Sequence, residues 1–434
     1  MIKKTRNNIS RRGLLASGAT LAGVLAAPAV ARAQATAGRL VIVGGGFGGA
    51  SAARAARDRY PNIAVTLIEP ASQFVTCPYG NLVLAGRSAD LAGITHSYDK
   101  LVGRGVTKIS QEAREIDAAK KTVRTADNQT VAYDRLIVSP GIDLKWDAIK
   151  GYDRAASAVM PHCWVPSLQP VTALADKLKA MADGGTFIMV APPNPFRCPP
   201  GPYERASMVA EYFKKAKPKS KILILDAKDG FSKQPLFLDA WKALYGDMIE
   251  WVPANKEGKV VAVDPAAMTV ETEFGKKHKG DVVNVIPPQQ AARIARESGL
   301  TGGADWAAID TRTFEIKSAP GVFVIGDANA APPMPKSGFV ANNTAMRAVA
   351  VACSQMTGAA IPNAIYFNTC YSHVGENYGI SVVGVYRPNA DGTKIDEAPN
   401  SGGISAQGAT PDIRAGEATY ADGWYRSITN YMFG

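Results

Sequence analysis

Five cysteines carry most of the chemistry this 434-residue chain offers: Cys77, Cys163, Cys198, Cys353 and Cys370. No two of them stand as C-x-x-C, which excludes the adjacent dithiol of disulfide reductases and a zinc ribbon, and no C-x-x-C-H attaches a c-type haem. The histidines His96, His162, His278 and His373 have no metal-ligand spacing, so no metal site is expected. Cys353 follows Val349-Ala350-Val351-Ala352 in an apolar helix and reads as a small buried hydrophobe; the sequence assigns Cys163 nothing. Cys198 is different, standing among the six prolines and single glycine of residues 192–202. Glu204 follows at the start of a helix. There it is either a base and pKa tuner for a nearby thiol or an acid favoured by the helix dipole.

Thiols in such a chain need an electron acceptor, and residues 39–70 supply the place for one. An apolar strand (residues 40–43) runs into Gly44, Gly46 and Gly49. An alanine-rich helix follows, then a second strand, Ile63–Ile68, closed by Glu69. That is the strand–turn–helix–strand unit of a dinucleotide fold. Gly44 makes the tight turn, Gly46 admits a pyrophosphate to the backbone, and Gly49 lets helix and strand pack closely. The uncovered N–H groups of the helix start face the phosphates, and Glu69 can accept from a ribose 2′-OH. Further on, a strand ends in Ser139-Pro140-Gly141, and much later another delivers Gly326-Asp327, the aspartate expected at the ribityl hydroxyls. These signals, in this order, resemble the FAD half of the glutathione-reductase-like superfamily, which makes the nucleotide FAD. The fold expected is α/β: a two-dinucleotide-binding-domain flavoprotein, its FAD domain discontinuous over 36–154 and 289–360, with a C-terminal α+β domain over 361–434.

Between the two FAD segments, residues 155–288 form a second α/β unit, with strands at Thr186–Ala191 and Lys221–Asp226 and a helix over 203–214. In pyridine-nucleotide reductases the strand equivalent to Thr186–Ala191 feeds a glycine turn that holds NAD(P)H. Here it feeds the prolines, which fix φ and lack the N–H donors a phosphate cradle needs. The unit is expected to keep its shape without a nucleotide. If it faces the flavin as in reductases, the Cys198 loop lies beside the ring, and the segment carrying Cys370 returns to the same place. A bridge between those two cysteines would sit where NADH otherwise delivers its hydride. It is either redox-active or a stabilising link of roughly 4–5 kcal/mol.

The first 35 residues read as an export leader. Ser10-Arg11-Arg12-Gly13-Leu14-Leu15 is a twin-arginine start, a run rich in Ala, Gly and Leu follows, and Ala31-Arg32-Ala33 offers a cleavage site. Its alternative is a membrane anchor, against which its modest hydrophobicity and terminal small residues argue. Six basic residues and no acid lie in this leader, so the formal charge of +11 becomes +5 without it. That balance suggests no nucleic-acid role. The expectation is a periplasmic protein with no membrane insertion after cleavage.

Longer stretches carry a specific resemblance: residues 197–206, Gly326-Asp327-Ala328, residues 333–337, Asn368-Thr369-Cys370-Tyr371-Ser372 and residues 385–390. Through them the chain, from about residue 38 to 434, resembles the flavoprotein subunit of flavocytochrome c sulfide dehydrogenase. The resemblance implies that Cys77 carries FAD through an 8α-thioether. It implies as well that Cys198 and Cys370 form a redox-active disulfide, and that Lys336 stabilises the anionic reduced flavin. Pro78-Tyr79-Gly80, after Cys77, depart from the family's pattern. The chemistry expected is attack of hydrosulfide on the disulfide, giving a persulfide and a thiolate, with two electrons then passing to the flavin. With no haem and no membrane helix expected in the mature chain, the acceptor is a separate c-type cytochrome subunit in a heterodimer, as the family has it. Two alternatives stand beside this reading: a sulfide:quinone reductase-like enzyme, and a non-catalytic flavoprotein partner in periplasmic sulfur oxidation. The aromatic end, with Trp424 among Tyr420, Tyr425, Tyr431 and Phe433, reads as core or subunit packing, or as a docking and electron-path surface.

Overall fold

Why the first glycine turn forms where it does follows from the strands around it. In the computed structural model, which describes residues 36–88 and 91–434, strand Gly38–Val43 lies in register between Ile63–Ile68 and Arg135–Val138. These are central strands of a six-stranded sheet. Its order is Glu315–Ile316, Ala319–Val324, Arg135–Val138, Gly38–Val43, Ile63–Ile68 and Thr107–Ile109. All neighbours are parallel except the first pair. Leu40, Ile42, Leu136, Ile137, Val322 and Phe323 are fully buried, as a parallel sheet covered on both faces requires. One cover is helix Phe47–Arg59, whose Ala50, Ala52, Ala53, Ala55 and Ala56 are buried against helix Gly338–Thr357. Small side chains permit that close approach. The second helix is capped by the Ser337 side chain, accepting from Val340 N at 3.1 Å, and stopped by Gly358 at φ +75°.

The middle of the chain repeats the plan on four parallel strands, ordered Ile249–Val252, Lys221–Asp226, Thr186–Ala191 and Val282–Val285. Helix Gly201–Ala216 begins slightly before the position read from sequence, on the Pro-Gly-Pro that ends the proline loop. Strand Gln289–Ala291 then pairs antiparallel with Ile142–Leu144 and returns the chain to the first sheet.

The C-terminal part is an antiparallel hairpin, Tyr366–Gly375 with Tyr378–Pro388, and helix Pro411–Phe433 packs against it. Between the hairpin and that helix lie two short strands, Ile395–Glu397 and Gly403–Ile404, both paired to the hairpin. Within the aromatic end, Tyr425 and Phe433 are buried while Tyr420 is 66 % exposed. The leader lies outside the described residues. Among those described, no helix is long and apolar enough to cross a membrane.

Candidate functional site

The three sheets converge on one cavity of about 830 Å³. One end is the glycine turn. Gly44 sits at φ +92°, and a Cβ there would lie 2.3 Å from Ser139 O; one on Gly49 would lie 1.7 Å from Gly44 O. Both glycines are required by the protein's own packing. Gly46 is not: its Cβ would meet only the Phe74 ring, at 3.5 Å. It precedes a helix whose N-terminus has no side-chain cap. That leaves open backbone and unpaired N–H groups on the cavity wall, the features an anion needs. Glu69 braces the turn by accepting from Gly45 N at 2.7 Å and Ala71 N at 2.9 Å. Pro140, Gly141, Gly326 and Asp327 line the same cavity. Asp327 Oδ1 is buried with no hydrogen-bond partner among the described residues. Burial pushes its carboxyl above the usual range, while Arg197 and Lys336 pull it back. An orphaned carboxylate oxygen beside an open glycine turn fits the hydroxyls and phosphates of a flavin dinucleotide.

At the other end stand three thiols from three elements. Cys77 follows strand Gln73–Val75; Cys198 occupies the turn before helix Gly201–Ala216; Cys370 lies in strand Tyr366–Gly375, opposite Val382. All three line the cavity, with Glu204. Cys198 has φ +58°, a left-handed conformation costly for a side-chain-bearing residue. It is held by its N–H donating to Lys336 O at 2.7 Å and its carbonyl accepting from Gly201 N at 2.8 Å. Burial pushes the Cys198 thiol well up, with Cys370, Cys77 and Glu204 adding to it and Arg197 opposing. Burial raises Cys370 as well, and Lys233 opposes. The Lys233 ammonium is buried and donates to Cys370 O at 3.0 Å and Ser372 Oγ at 2.8 Å. Arg197 donates to Cys77 Sγ at 3.3 Å and to the Trp164 carbonyl.

Lys336 and Glu204 are both held by contacts of the protein's own. Lys336 does not line the cavity. Its ammonium donates to Asp327 O at 2.8 Å and Asn329 O at 2.6 Å and lies 3.6 Å from the Trp306 ring centroid. Enclosed there, it is pushed down to about 8. Its part in the site is to brace the Asp327 turn and, through its backbone, the Cys198 loop. Glu204, read as base or helix-start acid, has both oxygens engaged: Oε1 accepts from the His373 N–H at 3.0 Å and Oε2 from Asn81 Nδ2 at 2.9 Å. It ties the Cys370 strand and the Cys77 loop to the helix behind Cys198. Cys353 is fully buried in helix Gly338–Thr357. Cys163 is buried too; its carbonyl accepts from Arg205 at 2.6 Å, and its thiol is pushed up to about 11 by burial.

In the second unit, Asp226 ends strand Lys221–Asp226 and is fully buried. It accepts from Tyr203 Oη at 2.5 Å, Trp251 Nε1 at 2.9 Å and Lys228 Nζ at 2.5 Å. The sequence reading gave no role in the site to Arg197, Lys233 or Asp422, and weighed His373 only as a metal ligand. His373, three residues after Cys370, was visible as a neighbour; Lys233 and Asp422 reach the site only through the tertiary fold.

Comparison with known proteins agrees with this architecture. Residues 171–287 match the family model "Sulfide dehydrogenase [flavocytochrome c] flavoprotein chain, central". Residues 362–433 match "Flavocytochrome c sulphide dehydrogenase, flavin-binding", and residues 38–163 "Pyridine nucleotide-disulphide oxidoreductase". The chain is similar to the mitochondrial sulfide:quinone oxidoreductase of Mus musculus, 24% identical over 312 residues, 70% of this chain and 68% of that one. In fold it is similar to the sulfide:quinone oxidoreductase of Aquifex aeolicus, with a TM-score of 0.69 at 16% identity, covering 91% of this chain and 92% of that one. The flavoprotein chain of sulfide dehydrogenase [flavocytochrome c] from Chlorobaculum thiosulfatiphilum is 60% identical over 45 residues, 10% of this chain and 94% of that sequence. Two-domain flavoprotein architecture and these matches together make the chain a member of the sulfide dehydrogenase (flavocytochrome c) flavoprotein family.

Proposed function

We propose that this chain oxidises sulfide through a disulfide formed by Cys198 and Cys370, passing the electrons by way of FAD to a c-type cytochrome. The observation that carries the reading is the convergence of those two thiols on the cavity that also holds Gly46 and Asp327. Hydrosulfide attacks one sulfur of the bridge; the S–S bond breaks, one cysteine keeps the added sulfur as a persulfide, and the other leaves as a thiolate. A second hydrosulfide takes the outer sulfur away as a disulfide anion and leaves two reduced cysteines. FAD, when bound, supplies a two-electron acceptor for that dithiol that can return electrons singly. Gly44, Gly46, Gly49 and Glu69 hold its adenosine diphosphate, Asp327 its ribityl chain, and Cys77 a covalent thioether to it. Arg197 keeps the Cys77 sulfur in place; Glu204 and Lys233 fix the backbone around Cys370. The engaged Asp226 carboxylate and the proline loop support an enzyme that does not draw on NAD(P)H. Export by the twin-arginine route places it in the periplasm, beside a haem-bearing subunit.

The test is anaerobic titration of the purified flavoprotein with sulfide, followed by oxidised cytochrome c or a short-chain quinone. Stoichiometric bleaching, then reoxidation by cytochrome, is the expected result; reoxidation by quinone alone would favour the acceptor named for the Mus musculus and Aquifex relatives. Cys198→Ser is expected to lower turnover at least about 10³-fold with FAD still bound, and near-wild-type turnover would make the bridge structural. Acid precipitation of the wild type is expected to leave flavin on the polypeptide and of Cys77→Ser to release it; equal release from both excludes the thioether.

A further inference from the structure

Oxidising sulfide in an enclosed cavity frees protons there, and Glu204, with both oxygens already engaged, is badly placed to carry them off. His373 is better placed. It lines the same cavity as Cys370, three residues along the strand, yet is 5 % exposed. Its Nε2 lies 3.2 Å from Tyr79 Oη and 3.3 Å from Asp422 Oδ1. Tyr79 directs its own proton to Asp422, so both neighbours of Nε2 act as acceptors. In the neutral ring the proton therefore sits on Nε2. Nδ1 is left as a lone pair, and it is buried with no partner among the described residues. Asp422 lies on the C-terminal helix with 46 % of its side chain exposed, so the imidazole stands between the cavity and water.

We propose that His373 is the base that takes protons from the cavity, with Asp422 and Tyr79 as positioning residues that fix its tautomer and pass the proton outward. An S–H proton of incoming hydrogen sulfide, or of a cysteine, moves to Nδ1. The imidazolium gives its Nε2 proton to Asp422, and from there it reaches water. One proton crosses from cavity to solvent, and no electrons move. Groups facing the ring are Tyr79, Asp422 from the C-terminal helix, Glu204 from helix Gly201–Ala216, and Arg87. Burial holds the imidazole below its ordinary value, Glu204 and Asp422 opposing and Arg87 adding to the depression; the ring is neutral, and able to accept, at pH 7.

The inference rests on the sulfide reading, and two measurements keep their failures apart. The first is stopped-flow reduction of the full-length flavoprotein by sulfide across pH 5 to 9, corrected for the hydrosulfide fraction. The wild-type rate is expected to fall as pH drops through a value below about 6.5. His373→Gln is expected to lose that limb and about 10²-fold in rate. Asp422→Asn should slow the reaction several-fold and displace the limb. A wild-type pH profile in both variants overturns the proposal; should His373→Gln not fold, Asp422→Asn and Tyr79→Phe carry the same readout. The second is nitrogen NMR of the chain labelled at its four histidines, with His373 assigned by its loss in His373→Gln. A proton on Nε2 at pH 7, lost from that position in Asp422→Asn, supports the base. A proton on Nδ1 overturns it. If sulfide does not bleach the wild type, the sulfide reading has failed, and the tautomer alone then decides for or against the base.

Discussion

Asp327 shows how a single side chain is kept ready for a ligand at a cost to the protein. Its buried Oδ1 has no protein partner, and burial raises its carboxyl above the ordinary range despite Arg197 and Lys336. A carboxyl whose folded pKa lies above its unfolded one contributes stability that is full below the unfolded value, near 3.8, and is lost as pH rises through the folded one. Once ionised, the flavin-free protein therefore holds a buried carboxylate with one oxygen unpartnered. Asp327→Asn is expected to stabilise that apo form by about 1–3 kcal/mol at pH 7, with the gain shrinking as pH falls toward 4 and flavin affinity dropping at least several-fold. Thermal melting against pH, with and without flavin, checks both effects. A variant no more stable than wild type at pH 7 would mean that the charge is already compensated.

At the scale of elements, the glycine turn separates packing from binding. Gly49→Ala places a methyl 1.7 Å from a backbone carbonyl that cannot move without opening the first strand. It is expected to destabilise the chain by about 3 kcal/mol or more. Gly46→Ala meets only the edge of an aromatic ring at 3.5 Å and should change stability by less than about 1 kcal/mol while lowering flavin occupancy. Denaturant unfolding of the two flavin-free variants distinguishes them. These elements were legible in the sequence because their information is local: glycine spacing, apolar runs and the change from period 2 to helix mark them. Strands Ile63–Ile68, Thr186–Ala191 and Lys221–Asp226 have the bounds the residue pattern gives. The strand holding Cys370 was not legible as one, because its polar and apolar residues do not alternate cleanly and it packs against helices from elsewhere in the chain. The surroundings of Lys336 were not legible for a related reason: the carbonyls of Asp327 and Asn329 that its ammonium bonds are fixed by the turn they belong to. The same limit hid His373, whose partners Tyr79 and Asp422 are remote in sequence and meet only when the last helix docks.

Across the whole molecule, the cavity belongs to no single domain. The first sheet supplies the glycine turn and Asp327, the second unit the Cys198 loop, and the hairpin Cys370. The C-terminal helix closes it: Tyr425 stacks on Tyr79 at 4.2 Å, and Arg54 of the first helix bonds the carbonyls of Tyr431 and Gly434 at 3.1 and 3.0 Å. In the second unit the Asp226 carboxylate is a hub joining Tyr203, Trp251 and Lys228. One side chain there answers for three: taking the carboxylate away would strand a buried lysine and two aromatic donors at once, so the acid behaves as a keystone, and the end of its strand has little freedom to take on another partner.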